Sequence, residues 1–261
     1  MISLAHPIFL YEVMKMSFLY KYAPKTLDEV VISNPKIYSV LDSYIHDNNR
    51  TPLLLHGGYG LGKSTIARLL PSIIEGETTS KMDTTSLDFS SQGEIRKFFY
   101  SHTKTMYYHH FHDPLYFVVD ESHFSSNVSY VLRVITDELQ GVIQFIFTTN
   151  NINAIDEGLR ERFNCLHFTP TTPQDWLPRI KQIVESEGIL TLNDSTLLDF
   201  ITNQLNQSSN HRKLLGELEL FISQVRRQSP DIHVRAPKPL VSLVALPTKE
   251  STVVKTVPPK K

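Results

Sequence analysis

The sequence predicts a parallel α/β sheet domain followed by a small helical lid domain. A continuous apolar run, typical of a strand buried on both faces, occurs at residues 115–119, a short apolar run at 52–55, and further strands are predicted at 142–148 and 165–168. Helical patterns alternate with these runs, as parallel sheets require, at residues 35–44, 63–70, 93–101 and 128–139. Beyond them three helical patterns follow one another without a strand, at residues 176–187, 194–206 and 211–227.

Composition divides the chain further. Residues 1–17 are predicted to be a loosely attached N-terminal extension, residues 18–168 the α/β domain and residues 169–228 the helical lid. Residues 229–261 are rich in proline and lysine, a composition typical of a disordered tail rather than a core. We expect the first helix of the lid to begin near Trp176, and the helix that starts at Lys63 to end near Pro71.

Charge and cysteine content exclude several classes of protein. The 261 residues carry a net charge of −1, so bulk charge does not indicate a nucleic-acid binder. The single cysteine, Cys165, excludes an internal disulfide framework. Neither a signal peptide nor an apolar run of the roughly 20 residues that a membrane-spanning helix needs is visible. We therefore expect a protein that is not secreted and has no membrane partner. Its expected location is the cytoplasm, or the nucleoid or replication site within it.

A glycine-rich segment between the first apolar run and the next helix fits the phosphate-loop pattern G-x-x-x-x-G-K-[ST]. Its glycines let backbone amides turn toward phosphate oxygens, and the following helix directs its positive end at them. An ordinary glycine turn is the alternative, but the complete motif and its strand–helix setting disfavour that interpretation. The predicted ATP-binding residues here are Gly57, Gly58, Tyr59, Gly60, Leu61, Gly62, Lys63, Ser64 and Thr65.

Two carboxylates follow a second apolar run, at Asp120 and Glu121. Ligands of open α/β sheets bind at the carboxyl ends of the strands, where these side chains are expected. Asp120 and the hydroxyl of Ser64 are predicted to bind Mg²⁺, and Glu121 is predicted to orient and polarise the attacking water. Alone, such a pair is often a solvated strand end; together with the phosphate loop it indicates an ATP-hydrolysing site.

Residues 18–225 resemble an AAA+ ATPase, and within that superfamily a subunit of the sliding-clamp loader, the replication factor C small-subunit and phage clamp-loader type. The resemblance is carried by K-Y-A-P-K-T-L-D-E-V at residues 21–30, F-I-F-T-T-N-N at 145–151, L-R-E-R-F at 159–163 and Arg212. It implies a P-loop AAA+ sheet domain with a helical lid, ATP and Mg²⁺ as cofactors, and DNA replication as the setting.

The resemblance also implies roles for single residues. Tyr22 and Val30 belong to the segment that holds adenine, although Ala23 replaces the usual arginine. Asn150 matches the family's sensor asparagine, and Arg212 matches the second sensor. Arg162 matches the arginine finger that a neighbouring subunit supplies, although Glu161 and Phe163 replace the flanking serine and cysteine. Taken singly, these arginines and Arg160 could equally be solvated surface residues.

The implied partners are other AAA+ subunits in a homo- or hetero-oligomer resembling a pentameric arc, a sliding clamp and primed double-stranded DNA. Only a short tail follows the lid, so we do not expect the family's helical collar domain within this sequence. A branch-migration or helicase-type ring, and an ATP-bound scaffold that does not hydrolyse, stay open as alternatives. A requirement for a clamp in DNA-stimulated ATP hydrolysis would distinguish a clamp loader from such a ring. Slow ATP turnover with every partner present would favour the scaffold.

Residues 92–99 fit Q-x-x-I-x-x-F-F, the pattern of peptides that bind sliding clamps. Gln92, Ile95, Phe98 and Phe99 are therefore candidate clamp-binding residues, with the three apolar side chains forming a plug on one face of a helix. The competing interpretation, which we favour, packs the same stripe into the protein's own core. His109, His110 and His112, with His102 before them, match no standard zinc spacing and are predicted to lie in a polar loop.

Overall fold

The computed structural model describes residues 17–47, 49–75, 81–84, 91–108, 115–122, 124–190 and 192–228. Five strands form one parallel sheet: β1 Leu53–Gly57, β2 Lys81–Thr84, β3 Leu115–Val119, β4 Ile143–Thr149 and β5 Asn164–Phe168. Their order across the sheet is β2-β3-β4-β1-β5. The phosphate-loop strand β1 thus lies between β4 and β5, which places the ends of all three beside the loop.

In the described ranges α1 Phe18–Lys21 comes first, and five helices accompany the sheet: α2 Pro35–His46, α3 Lys63–Glu75, α4 Gln92–Tyr108, α5 Ser126–Glu138 and α6 Glu157–Arg160. Three more follow it: α7 Pro173–Ser186, α8 Asp194–Gln207 and α9 His211–Gln228. Several begin at side-chain caps that satisfy free backbone amides. Thr172 and Asp175 form a reciprocal capping box at α7, and Asn34 caps α2 just before Pro35.

The sheet is covered on both faces, which explains why its central strands are continuously apolar. On one face, side chains of α4 and α5 pack against Leu54, Phe117 and Phe145. On the other, side chains of α2 and α3 pack against Leu53, Leu55 and neighbouring strand residues. Every residue of β3 and β4 is buried. The predicted parallel α/β sheet is therefore confirmed.

A third apolar core lies among α7, α8 and α9, and it includes Phe18 and Tyr22 from the start of the described chain. The buried carboxylate of Glu187 ties these elements together, because it accepts hydrogen bonds from Tyr22 Oη, Lys21 Nζ and Arg226 Nη2, each 2.5 Å long. The described part of the chain thus begins in the helical region, at residue 17, before it enters the sheet. The domain boundaries proposed from composition stay a prediction.

Three sequence-based expectations of secondary structure differ from the structure. Helix α3 does not end near Pro71 but continues to Glu75; a proline costs one amide hydrogen bond, and here its ring is buried. Strand β2 was not predicted, because a short edge strand of mixed polarity lacks an apolar signal. Helix α4 extends to Tyr108, into the segment predicted to be a loop.

The N-terminal extension before residue 17, the tail after residue 228 and the histidines at 109, 110 and 112 lie outside the described residues. Within the described ranges, none of the helices is both long and apolar enough to cross a membrane.

Candidate nucleotide site

The phosphate loop connects β1 to α3 and depends on glycine at the positions where its backbone turns. Gly57, Gly60 and Gly62 have φ values of 139°, 72° and 88°, a region that favours glycine. A Cβ atom on Gly57 would lie 2.2 Å from the carbonyl oxygen of Phe168 in β5. These glycines therefore allow the compact loop that the motif predicts.

Lys63 begins α3, and its side chain folds back over the loop. Its Nζ donates to the carbonyl oxygens of Gly57 at 3.0 Å and Gly58 at 2.6 Å, and to Asn150 Oδ1 at 2.8 Å. Only 5% of Lys63 is exposed, and burial lowers the pKa of its amine. The structure thus joins the predicted phosphate-binding lysine to the predicted sensor asparagine, at the ends of two adjacent strands.

Asp120 follows β3 and faces the start of α3. Its Oδ1 accepts from Ser64 Oγ at 2.6 Å and Thr148 Oγ1 at 2.5 Å, and its Oδ2 accepts from Arg68 at 3.0 Å. Burial raises the pKa of this carboxyl, but the two hydroxyls and Arg68 outweigh that effect, so its pKa lies below the ordinary value. Asp120 is therefore held as a carboxylate beside the phosphate loop.

Glu121 has a φ of 51°, which is unusual for a residue with a side chain. Its amide donates to Thr148 Oγ1 at 3.0 Å, and the next amide, of Ser122, donates to the carbonyl oxygen of Thr148 at 2.7 Å. Thr148 thereby holds the backbone in this conformation and leaves the Glu121 side chain exposed. Backbone strain of this kind often occurs where a side chain must be presented for function.

The oxygen atoms of Ser64 and Asp120 fit Mg²⁺. One hydroxyl and one carboxylate, 2.6 Å apart at the mouth of a phosphate loop, are the hard oxygen donors that Mg²⁺ takes alongside phosphate oxygens and water. Among the described residues there is no group of three or more histidine, cysteine, aspartate or glutamate side chains that could hold a different metal.

The N-terminus of α9 contacts the phosphate loop directly. The amide of His211 donates to the carbonyl oxygen of Gly60 at 3.0 Å, and a Cβ atom on Gly60 would lie 2.4 Å from the Asn210 side chain. Asn210 Oδ1 in turn caps α9 by accepting from the amide of Arg212 at 2.9 Å. Arg212, the predicted second sensor, directly follows the residue that contacts the loop, and its side chain is exposed to solvent.

The two residues predicted to hold adenine lie in different places. Val30 is buried beside the loop, with Cγ1 3.8 Å from the Cβ position of Gly62. Tyr22 instead packs its ring into the core of the helical region and donates its hydroxyl to Glu187. Both the ring and the hydroxyl of Tyr22 are thus used in packing the helical region, and its part in holding adenine stays a prediction.

Arg162 lies at the opposite end of the sheet from the phosphate loop. It precedes β5, whose first amide, of Asn164, donates to the carbonyl oxygen of Pro52 just before β1. The loop follows the far end of β1, roughly 16 Å away at about 3.3 Å per residue. Arg162 forms a forked ion pair with Asp137 at 2.9 Å and donates Nη1–H to the carbonyl oxygen of Gly158 at 2.6 Å. This arginine therefore does not belong to the site of its own chain.

Two of the three apolar residues of the candidate clamp-binding plug are buried, as the favoured interpretation of this stripe as core packing predicts. Ile95 and Phe99 are 1% and 0% exposed, and they pack in the core between α4 and the sheet. Phe98 is partly buried against the same core, and Gln92 is exposed at the helix start. Because the sheet face must be covered by an apolar stripe, the pattern Q-x-x-I-x-x-F-F serves packing within this chain.

Residues of the site that were not among the predicted ones include Thr148, Asn210 and His211. Thr148 could have been found, since β3 and β4 are adjacent and in register, with Val119 opposite Phe147. The residues that follow this pair, Asp120 and Thr148, are then necessarily neighbours. Asn210 and His211 carried no such signal, because their position depends on how the helical region meets the sheet.

No protein-family model matches the chain. Curated relatives include replication factor C small subunit 2 of Pyrobaculum islandicum, 24% identical over 220 residues that cover 83% of this chain and 67% of the relative. The replication factor C small subunit of Staphylothermus marinus is 26% identical, and the match covers 65% of this chain and 52% of the relative. Human replication factor C subunit 5 is 25% identical, and the match covers 68% of this chain and 53% of the relative. The chain thus spans between about half and two thirds of the length of these relatives.

Among solved structures, the Holliday junction branch migration motor RuvB of Thermotoga maritima aligns with a TM-score of 0.62 at 17% identity, covering 82% of this chain and 69% of that one. This likeness concerns the fold: a P-loop sheet followed by helices. The chain is thus similar in sequence to the replication factor C small subunits and similar in fold to the branch migration motor RuvB.

Proposed function

We propose that the chain is an ATPase subunit of a sliding-clamp loader, which couples binding and hydrolysis of ATP to loading a clamp on primed DNA. The proposal rests on two hydrogen bonds made by consecutive residues at the phosphate loop. Ser64 donates to Asp120, and Lys63 donates to Asn150. The similarity to replication factor C small subunits over most of the chain supports the cellular role.

In this proposal Lys63 exchanges its contacts with the loop carbonyls for the outer phosphate oxygens of ATP. It brings its charge to the oxygens on which negative charge is concentrated. Ser64 and Asp120 would hold Mg²⁺, which would supply positive charge beside the phosphates. Hydrolysis of ATP is phosphoryl transfer to water, so these groups act by position and charge rather than by forming covalent bonds.

Glu121 then orients the attacking water and accepts its proton, while Asn150 fixes the water or the γ-phosphate by hydrogen bonding. The exposed position of Glu121 and its constrained backbone support this role. Arg212, whose backbone amide is held at the loop through Asn210, lies within the element that would sense the γ-phosphate.

Arg162 supplies its guanidinium to the site of a neighbouring subunit. Its location at the far end of the sheet from its own phosphate loop supports this assignment. The functional unit is then an oligomer of AAA+ subunits, identical or different, and its partners are a sliding clamp and primed double-stranded DNA inside the cell.

The likeness to the branch migration motor favours a second candidate, a motor that moves on DNA without a clamp. ATP hydrolysis stimulated by primed DNA alone, and unchanged when clamp is added, would favour that candidate. Stimulation that requires both would favour the clamp loader.

The central test is Glu121→Gln, which keeps the size of the side chain and removes its basicity. We expect the variant to bind ATP with the affinity of the wild type and to hydrolyse it at least about a hundredfold more slowly, as loss of general-base catalysis predicts. Glu185→Gln, the same change on an exposed face of α7, is the matched control and should hydrolyse normally. Equal hydrolysis by wild type and Glu121→Gln in the presence of DNA and clamp would refute the role of Glu121.

A further inference from the structure

His211 is the most deeply buried titratable side chain beside the phosphate loop that has no assigned role. It is 8% exposed, and its Nδ1 lies 3.7 Å from the Cβ position of Gly62, the last glycine of the loop. Val30 approaches the same position from the other side, at 3.8 Å. His211 and Val30 therefore flank the loop where it enters α3.

The hydrogen bonds around His211 determine which ring nitrogen carries the proton. Thr171 Oγ1 lies 3.1 Å from His211 Nε2 and accepts from Trp176 Nε1 at 2.9 Å. An indole nitrogen can only donate, so one lone pair of the Thr171 oxygen is used by Trp176. Thr171 is itself buried, and within the described ranges these two groups are the partners of its hydroxyl. Its proton is satisfied only by donation to Nε2.

With Nε2 accepting, a neutral imidazole carries its proton on Nδ1. Burial, and then the charge of Lys63, lower the pKa of His211 to about 4, so the ring is neutral at physiological pH. In the part of the chain that the structure describes, the hydrogen bond of the His211 ring is made by Nε2, and Nδ1 is not among the fully buried polar atoms that lack a partner. Nδ1–H is therefore an accessible donor beside the phosphate loop, where a ligand can accept from it.

We propose that His211 is a nucleotide-binding residue, whose Nδ1–H donates a hydrogen bond to an acceptor atom of the nucleotide in the phosphate loop. The inference rests on the proposed function, because it takes the loop to bind ATP. It also gives the contact between α9 and the loop a ligand-dependent component. The helical region then contacts the nucleotide through a neutral donor on His211, in addition to the charged side chain of Arg212.

The test compares three substitutions that differ in where they place a donor. The side-chain amide of asparagine can replace the Nδ1 donor, glutamine places its amide near Nε2, and leucine has no donor. We measure the Kd of each variant for ATP and for ADP by isothermal titration calorimetry with Mg²⁺. We expect His211→Leu to raise both Kd values about tenfold, His211→Asn to recover most of this loss and His211→Gln to recover little.

His46→Leu is the matched control, since His46 is an exposed histidine of α2 and its replacement should leave both Kd values unchanged. Thermal melts without nucleotide distinguish a loss of binding from a loss of folding stability. If His211→Leu melts at a lower temperature than the wild type, the Kd values of His211→Asn and His211→Gln alone decide the proposal. Equal Kd values for wild type and His211→Leu, or an asparagine variant no better than the glutamine variant, would overturn the proposal.

Titration with inorganic tripolyphosphate identifies the acceptor. If His211→Leu binds tripolyphosphate more weakly than the wild type does, the hydrogen bond is assigned to a phosphate oxygen. If its affinity for tripolyphosphate is unchanged while its affinity for ATP is weaker, the hydrogen bond is assigned to the ribose or base. Lys63→Ala tests the underlying function separately. If wild type and Lys63→Ala bind ATP equally, the phosphate loop is not the nucleotide site and the proposed function itself fails.

Discussion

The two ends of the sheet carry different kinds of polar chemistry. At the carboxyl end, Lys63 donates to Asn150, and Asp120 accepts from Ser64 and Thr148, beside glycines with positive φ. At the amino end, Arg162 is held by Asp137 and a backbone carbonyl, with no phosphate loop nearby. One end is equipped to bind a triphosphate and the other to contribute one charge to it. In the proposed function, a complete site therefore needs the opposite ends of two molecules.

The strongest test of this comparison is Arg162→Ala. We expect stimulated hydrolysis to fall about a thousandfold, the scale associated with an arginine finger, while the affinity of the same chain for ATP stays unchanged. Arg227→Ala, at an exposed position of α9, is the matched control. If identical subunits are in contact, mixing Arg162→Ala with Lys63→Ala protein should restore activity, because each supplies the end that the other lacks. Normal hydrolysis by Arg162→Ala would move the role to another residue, with Arg160 the first to examine.

Asp137 offers a finer test of the amino end. The guanidinium of Arg162 has five N–H donors, and three are used by Asp137 and the Gly158 carbonyl, which leaves one on each terminal nitrogen for phosphate oxygens. Asp137→Asn should therefore lower hydrolysis about ten- to a hundredfold by loosening the arginine, without weakening ATP binding. In the double variant with Arg162→Ala the further loss should vanish. Additive losses would show that Asp137 acts independently of Arg162.

At the carboxyl end, Gly60→Ala should weaken ATP binding about tenfold. Its φ of 72° and the nearness of Asn210 both oppose a Cβ atom, so the loop and the start of α9 must separate. Gly141 is a suitable control, since its φ is 81° and no atom lies within 4 Å of its Cβ position. Gly141→Ala should cost similar folding stability in a urea titration and leave ATP affinity intact. A similar loss of ATP affinity in both variants would show that backbone strain alone is responsible.

The sheet and the phosphate loop could be predicted from sequence because each depends on short-range patterns. Buried parallel strands are continuously apolar, and the loop needs its glycines at fixed spacing, so β1, β3 and β4 were found with small errors at their ends. Strand β2 escaped because an edge strand need not be apolar. The sequence could also indicate Asp120 and Glu121, because both directly follow a strand.

What could not be predicted depends on long-range packing. Phe99 and Ile95 match a peptide pattern for binding partners, yet only the sheet face beneath α4 decides that they are buried. Tyr22 fits an adenine-binding segment by resemblance, yet its ring completes the core of the helical region. His211 was overlooked since its neighbours Thr171 and Gly62 are distant in sequence and meet only in the folded chain.

The position of Phe18 and Tyr22 in the third core has a mechanical consequence. Within residues 17–228, the described chain crosses between the helical region and the sheet twice, once between Tyr22 and Val30 and again after Phe168. A body joined to another at two points turns with least resistance about the line through those points. The two crossings therefore define an axis, and a rotation about it would open or close the gap between Gly60 and His211 while pulling on Val30 beside the loop. Nucleotide exchange would then be limited to a single degree of freedom.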